Sequence, residues 1–308
     1  MMRSSLRPVL QAIAAIALAA AFPVSAAAGA WQAPHRKPLL FVSNLDGGIR
    51  IYSADVHNSN VQLQGTITNG TTRPEGVWID GKGILYLENG PQYPAQADIE
   101  EYKPGATSPF FKITDGLNSP GAVAVGSDGT VYVNQLGEAG GGGVIGVVAV
   151  YPAGKTKLER TISLNPTPEY GMSAGGMAFD QQGNLYAATI GNATEVHVFK
   201  IAPGSSQATD LGLQGYGGSA IAIDGAGNLY AGGGGGFIAV YPPGATSPSR
   251  TIPTSFSVYG LTARQNGTLY AVADSFVAEY APGASTPTNY VDTLDGETFT
   301  YDAALGWQ

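Results

Sequence analysis

The sequence predicts an all-β fold: a six-bladed β-propeller with four antiparallel strands in each blade. The first observation is a repeated phrase, an apolar strand followed by a tight glycine turn and a second strand that carries tyrosine. Its copies read GVWIDGKGILYLEN, AVAVGSDGTVYVNQ, GMAFDQQGNLYAAT, AIAIDGAGNLYAGG and GLTARQNGTLYAVA. The intervals between copies are 46, 54, 44 and 40 residues, counted between Tyr86, Tyr132, Tyr186, Tyr230 and Tyr270. Periods of this size indicate stacked supersecondary units.

The second observation is that the other half of each unit also repeats. A strand, a Pro-Gly turn and another strand recur as IEEYKPGATSPFFKI, VAVYPAGKTKLERTI, IAVYPPGATSPSRTI and VAEYAPGASTPTNYV, with a looser copy from Val196. Proline presets φ at the first central position of such a turn, and glycine accepts positive φ at the next. Four antiparallel strands in each unit of this length are typical of a propeller blade.

One unit justifies the strands in order. Gly76–Asp80 alternates with a period of two, which predicts the first strand. The DGKG turn then reverses the chain as a hairpin, and Ile84–Glu88 forms the second strand. Ile99–Tyr102 is the third strand. Pro109–Ile113 is the fourth, where proline is tolerated because the strand lies at the sheet edge.

The two ends of the chain supply the sixth blade. Leu39–Asn44 matches a second strand and Ile49–Tyr52 a third, whereas Tyr301–Trp307 matches only a first strand. We therefore expect Tyr301–Trp307 to pair with Leu39–Asn44. This pairing closes the ring and removes the open sheet edges that promote aggregation. Residues 31–308 then form a single propeller domain.

Residues 1–30 have the features of a secretory signal peptide. Arg3 and Arg7 give a positive start, Val9–Val24 is apolar, and Ser25–Ala30 is rich in small residues. Cleavage is expected after one of three alanines: Ala26, Ala28 or Ala30. The rival interpretation, a retained membrane anchor, is weaker because the apolar run is shorter than the ~20 residues that a span needs. We expect a secreted or periplasmic protein with no integral membrane segment after cleavage.

Composition restricts the function further. The chain has no cysteine, which excludes disulfides, a lipid-modified cysteine anchor, thiol catalysis and cysteine-ligated metals. Its formal net charge is −8, and about −10 once Arg3 and Arg7 are removed. No basic run remains, so nucleic acid is not an expected partner. We expect a monomer.

The two faces of the predicted propeller differ. The repetitive-turn face carries the repeated DGxGN and PPGATSP turns. The variable face carries segments that differ among the copies, so function is expected there. These segments are Gly90–Ala97, Gln135–Gly143, Asn165–Ala174, Ile190–Thr194 and Thr254–Tyr259. Alignment also places the residue just before each predicted innermost strand around the channel mouth. These residues are Glu75, Gly121, Gly175, Ser219, Tyr259 and, from the shared blade, Asp302.

The combination of DxxGNLY with VxVYxPGATSP resembles the NHL-like and SMP-30-like six-bladed propeller superfamily over essentially all of residues 31–308. The resemblance implies the propeller fold. It leaves the activity open, because that superfamily includes lactonases, lyases and many non-catalytic binding or scaffold proteins.

Two acidic residues of the mouth form a candidate metal site. Glu75 and Asp302 fall in adjacent blades, and Asn44 and Asn89 end the second strands of the same blades. Oxygen ligands of this kind suit Ca²⁺ or another divalent cation. The resemblance implies that lactonases of the SMP-30-like type hold such a cation, which would polarise an ester carbonyl and activate water. The alternatives are an ion pair between Glu75 and Arg73, a turn cap at Asp302, and structural roles for the asparagines.

A second set of candidates would bind a ligand without catalysis. Aromatic rings near a cleft can stack on a sugar or grip a peptide, and the candidates are Tyr93, Tyr170, Tyr216 and Tyr259, together with Ser219. No G-x-S-x-G nucleophile motif is present, and the three histidines are isolated. The favoured hypothesis is a non-catalytic scaffold, without a cofactor, that binds a protein, peptide or glycan. The alternative is a lactonase-type, metal-dependent hydrolase.

Overall fold

The structure is a computed structural model that describes residues 38–45, 48–54, 62–90, 96–139, 143–164, 173–190, 196–215, 218–292 and 300–307. The predicted signal peptide lies outside these residues, so its presence and cleavage stay predictions. The described part of the chain is built of strands and turns. It contains no helix that is long and apolar enough to span a membrane.

The strands form six four-stranded antiparallel sheets, which we number as blades. Blade 1 contains β1 (Pro38–Asn44), β2 (Gly48–Ser53) and β3 (Leu63–Ile67). Blade 2 contains β4 (Pro74–Ile79), β5 (Leu85–Asn89), β6 (Asp98–Tyr102) and β7 (Phe111–Ile113). Blade 3 contains β8 (Pro120–Val125), β9 (Val131–Ala139), β10 (Gly143–Tyr151) and β11 (Arg160–Ser163). Blade 4 contains β12 (Ser173–Phe179), β13 (Leu185–Ile190), β14 (Val196–Ile201) and β15 (Ala208–Asp210). Blade 5 contains β16 (Ala220–Ile223), β17 (Leu229–Gly232), β18 (Phe237–Tyr241) and β19 (Arg250–Pro253). Blade 6 contains β20 (Gly260–Ala263), β21 (Leu269–Val272), β22 (Phe276–Tyr280) and β23 (Asn289–Asp292), and β24 (Thr300–Trp307) completes blade 1.

The ring closes as the sequence predicts. β24 pairs antiparallel with β1, from Pro38 opposite Trp307 to Asn44 opposite Thr300, with a bulge after Val42. Each innermost strand also contacts the next one around the ring, in the order β24, β4, β8, β12, β16, β20 and back to β24. The predicted six blades and the strand exchange between the two ends are both confirmed.

The hairpin turns explain part of the repeat. Asp80 follows the first strand of blade 2, and its Oδ1 accepts backbone N–H bonds from the residues two and four positions further on, at 2.9 and 2.8 Å. Asp180 and Asp224 make the same pair of bonds in blades 4 and 5. Gly83 closes the first of these turns with a φ of 81°, a conformation that favours glycine.

The tyrosine that ends the third strand has a repeated role as well. Tyr102, Tyr151 and Tyr241 are almost completely buried. Each hydroxyl donates to a backbone carbonyl in the segment that leads into its own blade, at 2.9, 2.7 and 2.8 Å respectively. A buried hydroxyl needs such a partner, so the tyrosine both fills the core and fixes the connection between blades.

Apolar side chains fill the spaces between blades. Between blades 6 and 1, for example, Leu40 and Val42 of β1 pack with Val272, Val277 and Ala303. Burial of a valine or leucine side chain contributes about 1.5–3 kcal/mol each. The fourth strand of blade 2 is shorter than predicted and begins at Phe111, because Pro109 has no N–H to donate to the sheet.

Candidate functional site

Most of the predicted mouth residues lie around one small cavity. Gly121, Gly175, Ser219, Tyr259 and Asp302 line a space of about 70 Å³ at the variable-face end of the channel. Tyr301, which precedes Asp302 on β24, also lines it. Glu75 is the second residue of the inner strand of blade 2, and it does not line this cavity.

The mouth is narrow because the inner strands touch backbone to backbone. A Cβ added at Gly175 would lie 2.5 Å from the Ser219 Cβ, and one added at Gly121 would lie 2.9 Å from the Ala174 carbonyl oxygen. The backbone N–H of Gly176 donates to the Ser219 carbonyl at 2.9 Å. The two glycines of the ring therefore stand where larger side chains, including metal ligands, have no room.

The Glu75 carboxylate is directed to the rim of blade 2. Its Oε1 pairs with the Nε of Arg73 at 2.9 Å and lies against Gly90, where an added Cβ would be only 2.5 Å from that oxygen. Its backbone carbonyl accepts a 2.7 Å bond from the Ser43 hydroxyl of blade 1. Burial raises the pKa of Glu75, and the nearby Arg73 charge partly opposes the shift.

Asp302 is held by backbone amides. Its Oδ2 accepts the N–H of Val77 at 3.2 Å, and its Oδ1 accepts the N–H of Ala303 at 2.8 Å. The backbone N–H of Asp302 donates to the Ser43 hydroxyl oxygen at 2.9 Å. Burial raises the pKa of Asp302 to about 7, although the two amide bonds favour the charged form. This side chain joins the closing strand to the inner strand of blade 2.

Asn89 binds the segment that connects blade 1 to blade 2. Its Oδ1 accepts the N–H of Thr72 at 3.1 Å. Its Nδ2 donates to the Gly70 carbonyl at 3.1 Å and to Asp98 Oδ1 at 2.7 Å. The side chain is fully buried, and this set of bonds gives it a structural role.

The same position in blade 3 has the same role. Gln135 accepts the N–H of Asn118 at 3.0 Å and donates to the Gly116 carbonyl at 2.8 Å, in the segment that connects blade 2 to blade 3. Asn44 occupies this position in blade 1, where it is fully buried and paired in register with Gly48 and Thr300. Asn89 and Gln135 therefore form a repeated clamp, and Asn44 shares their position in the blade.

Sequence reasoning missed Glu88, the most unusual group near the mouth. It is completely buried, its Oε2 accepts the N–H of Gly76 at 3.0 Å, and its Oε1 has no hydrogen-bond partner among the described residues. Burial, followed by the nearby Glu75 charge, raises its pKa well above the ordinary carboxyl range. A signal was present, because Ser43 and Asn134 put polar residues at the matching position of blades 1 and 3.

Glu88 belongs to a group of buried carboxyls in blade 2, namely Glu75, Glu88, Asp98, Glu100 and Glu101. Lys112 compensates two of them, since its Nζ lies 2.9 Å from Asp98 Oδ2 and 2.7 Å from Glu100 Oε1. Despite this acidity, the described residues contain no set of three His, Cys, Asp or Glu side chains arranged to hold a metal ion.

Two of the predicted ligand-binding residues meet at the mouth. Tyr259 is 43% exposed and lines the cavity together with Ser219. A hydrogen bond with Asp274, more than burial, raises the pKa of the Tyr259 hydroxyl. Tyr93, Tyr170 and Tyr216 lie outside the described residues, so their proposed role stays a prediction.

Comparison with known proteins supports the fold only. No family model matches the chain, and no curated protein matches it in sequence. Solved structures do match it, among them the crystal structure of a protein of unknown function from Bacteroides caccae. That structure has a TM-score of 0.62 and 13% sequence identity, and the match covers 88% of this chain and 99% of that chain. At this identity the similarity shows a shared fold, and membership of the NHL-like and SMP-30-like superfamily stays a prediction.

Proposed function

We propose that this protein is an exported, non-catalytic binding propeller whose variable face holds a protein, peptide or glycan ligand. The observation that carries the proposal is that the polar side chains at the mouth are already bonded within the fold. Glu75 is paired with Arg73, while Asp302 and Asn89 are bonded to backbone groups that join blade 1 to blade 2.

The alternative, a metal-dependent hydrolase, has weaker support. A catalytic divalent cation needs several oxygen or nitrogen ligands and an open position for water or substrate. Here Glu75 is paired with Arg73, and Asp302 is bonded to two amides. The positions that would supply further ligands, Gly121 and Gly175, are occupied by backbone contacts. We accordingly propose that no cofactor is required.

The groups that remain accessible at the mouth suit recognition. Tyr259 presents an exposed ring, while Ser219, Tyr301 and Asp302 line the cavity beside it. An aromatic face next to hydroxyl and carboxylate groups can bind a sugar or a peptide through stacking and hydrogen bonds. The segments predicted to vary among the blades would supply the specificity. Export is supported by the pattern of residues 1–30.

Binding can be tested with a glycan array and a random peptide library. The full chain is compared with Tyr259→Ala and with a control, Tyr290→Ala, whose ring is 55% exposed on the outermost strand of blade 6. We expect a selective ligand for the unaltered chain and for Tyr290→Ala, and at least an about tenfold loss for Tyr259→Ala. Equal binding by both variants would place the ligand elsewhere. Lactone hydrolysis that EDTA abolishes would establish the hydrolase instead.

A further inference from the structure

The channel contains a second and larger cavity on the repetitive-turn face. Its volume is about 380 Å³, compared with about 70 Å³ at the variable-face mouth. Large apolar side chains make up much of its wall: Trp78, Met177, Phe179, Ile221, Leu261 and Leu305. We refer to this space as the lower cavity.

The inner end of the lower cavity is a constriction. Trp78, Met177, Ile221 and Leu261 line both the lower cavity and the mouth cavity, so they lie at the boundary between the two. Met177, Ile221 and Leu261 are buried. A peptide that entered from the repetitive-turn face would therefore meet these packed side chains. A small molecule could occupy the lower cavity without passing between them.

The outer end carries a pair of glutamines. The Nε2 of Gln181, in blade 4, donates to the Gly225 carbonyl at 2.9 Å and to the Oε1 of Gln265, in blade 6, at 3.0 Å. The backbone carbonyl of Gln265 accepts the N–H of Gly225 at 3.2 Å. The side-chain bonds involve the Gln181 Nε2 and the Gln265 Oε1 only. The Gln181 Oε1 and the Gln265 Nε2 have no described partner, so they offer one acceptor and one donor at the rim.

The charged residues at the rim are already satisfied. Asp180 and Asp224 line the lower cavity, but their carboxylates accept hydrogen bonds inside their own turns. In blade 5 the Tyr230 hydroxyl adds a further bond to Asp224 at 2.9 Å. The hydrogen-bonding capacity of these carboxylates is used within the turns, so an uncharged occupant leaves none of them unsatisfied.

We propose that the lower cavity binds one small, neutral, largely apolar molecule, with its ring or chain against Trp78 and Phe179 and a single polar group at the glutamine pair. Small-molecule sites are typically concave, mainly apolar and of about 300–1,000 Å³, with a few placed polar groups. Water is poorly held by apolar walls, whereas an apolar ligand gains dispersion contacts there. This site is independent of the proposed ligand on the variable face.

The test uses 1-naphthol, a neutral two-ring alcohol, titrated calorimetrically into the full chain. We expect one saturable site with a dissociation constant on the order of tens of micromolar. Ala263 lines the cavity, and Ala263→Leu would fill part of it and weaken binding about tenfold. Ala153→Leu adds the same bulk at an exposed turn of blade 3 and should bind as the unaltered chain does. Tyr259→Ala should also bind normally, which separates this site from the variable face.

A thermal melt shows whether Ala263→Leu is folded. If it is not, a second variant, Gln265→Ala, takes its place in the test. Gln265 is exposed, so Gln265→Ala leaves the core intact while it removes the free donor and the bridge to Gln181. It should weaken 1-naphthol binding about fivefold, the loss of one hydrogen bond. The proposal is overturned if the unaltered chain shows no saturable binding. It is also overturned if the folded Ala263→Leu, or Gln265→Ala in its place, binds as tightly as the unaltered chain.

Discussion

The carboxylate of Asp302 accepts a hydrogen bond from the backbone N–H of Val77, 225 residues earlier in the chain, at 3.2 Å. The bond links the last strand to the inner strand of blade 2. Ser43 adds to it, because its hydroxyl accepts the Asp302 N–H and donates to the Glu75 carbonyl. Blade 1 is the blade whose first two strands are not joined by a turn. The polar contacts at the mouth are therefore concentrated where the ring is closed without a covalent connection.

Removal of residues 299–308 should cost most of the stability. The truncation leaves β1 with an open edge and removes the inner strand that packs against β4 and β20. Small domains are stable by about 5–15 kcal/mol, so the loss of an inner strand should abolish the cooperative transition. Chemical denaturation followed by circular dichroism measures this.

A circular permutant provides the control. Pro38 pairs with Trp307, so a short linker can join these ends, with new ends placed in the exposed turn at Gly244. We expect this permutant to fold with a normal transition, because every strand pair is kept. The opposite result, a stable truncation and a permutant that does not fold, would mean that β24 is not essential for closure of the ring.

Stability should fall as the pH rises from about 5 to about 8. Burial raises the pKa of Asp302 and of Glu101 to about 7 in the folded chain. The folded state then keeps protons that the unfolded chain has already released, so this stabilisation is complete below the ordinary carboxyl range and is lost as the pH passes 7. We expect the free energy of unfolding to drop by on the order of 2 kcal/mol across this window, measured by urea titration.

Asp302→Asn, which mimics the protonated side chain, should reduce the fall in the free energy of unfolding between pH 5 and pH 8. The control is Asp115→Asn, on the surface, because hydrogen bonding to Lys157 lowers the pKa of Asp115 and it is already ionised throughout the window. An unchanged slope in Asp302→Asn would show that Asp302 does not titrate there.

Gly175→Ala should destabilise the fold by about 1–3 kcal/mol, because the new Cβ would lie 2.5 Å from the Ser219 Cβ and force blades 4 and 5 apart. Gly81→Ala is the matched control, since an added Cβ there meets no atom within 4 Å. Thermal melts compare the two. Equal melting temperatures for both variants would contradict the close approach of the inner strands.

Asn89→Ala should cost about 2–3 kcal/mol, because it leaves buried backbone groups of the connecting segment and Asp98 without a partner. A comparable loss is expected for Gln135→Ala, which removes the equivalent clamp in blade 3. Urea titrations in the presence and absence of EDTA measure both. A loss in Asn89→Ala that disappears when EDTA is present would indicate a metal ligand.

The repeat made the fold predictable to the level of the closing strand. Tyr86 and its equivalents mark the second strand of blades 2 to 6. The incomplete units at Leu39–Asn44 and Tyr301–Trp307 each lack the strands that the other supplies. The same alignment placed Ser219, Tyr259 and Asp302 at one mouth. Periodic positions are predictable because each blade repeats the same packing requirement.

The chemical state of the site was less predictable. Alignment gives the position of Glu75 and Asp302, but it does not give their partners, Arg73 and the Val77 amide. Glu88 was missed because the matching residues, Ser43 and Asn134, are uncharged, so the repeat indicates a polar position there without predicting a buried carboxyl. The lower cavity was missed because its wall joins residues of five blades, and their meeting depends on the number of blades.

The most direct measurement of the central claim, that the acidic residues of the mouth hold the ring closed and do not bind a cation, is a calcium titration of the melting temperature. The full chain and Glu75→Gln are melted in EDTA and then with calcium up to about 10 mM, above the dissociation constants of about 0.1–1 mM that extracellular calcium modules show. The structure predicts no calcium-dependent shift in either protein. A saturable rise in melting temperature for the full chain that is absent in Glu75→Gln would contradict it.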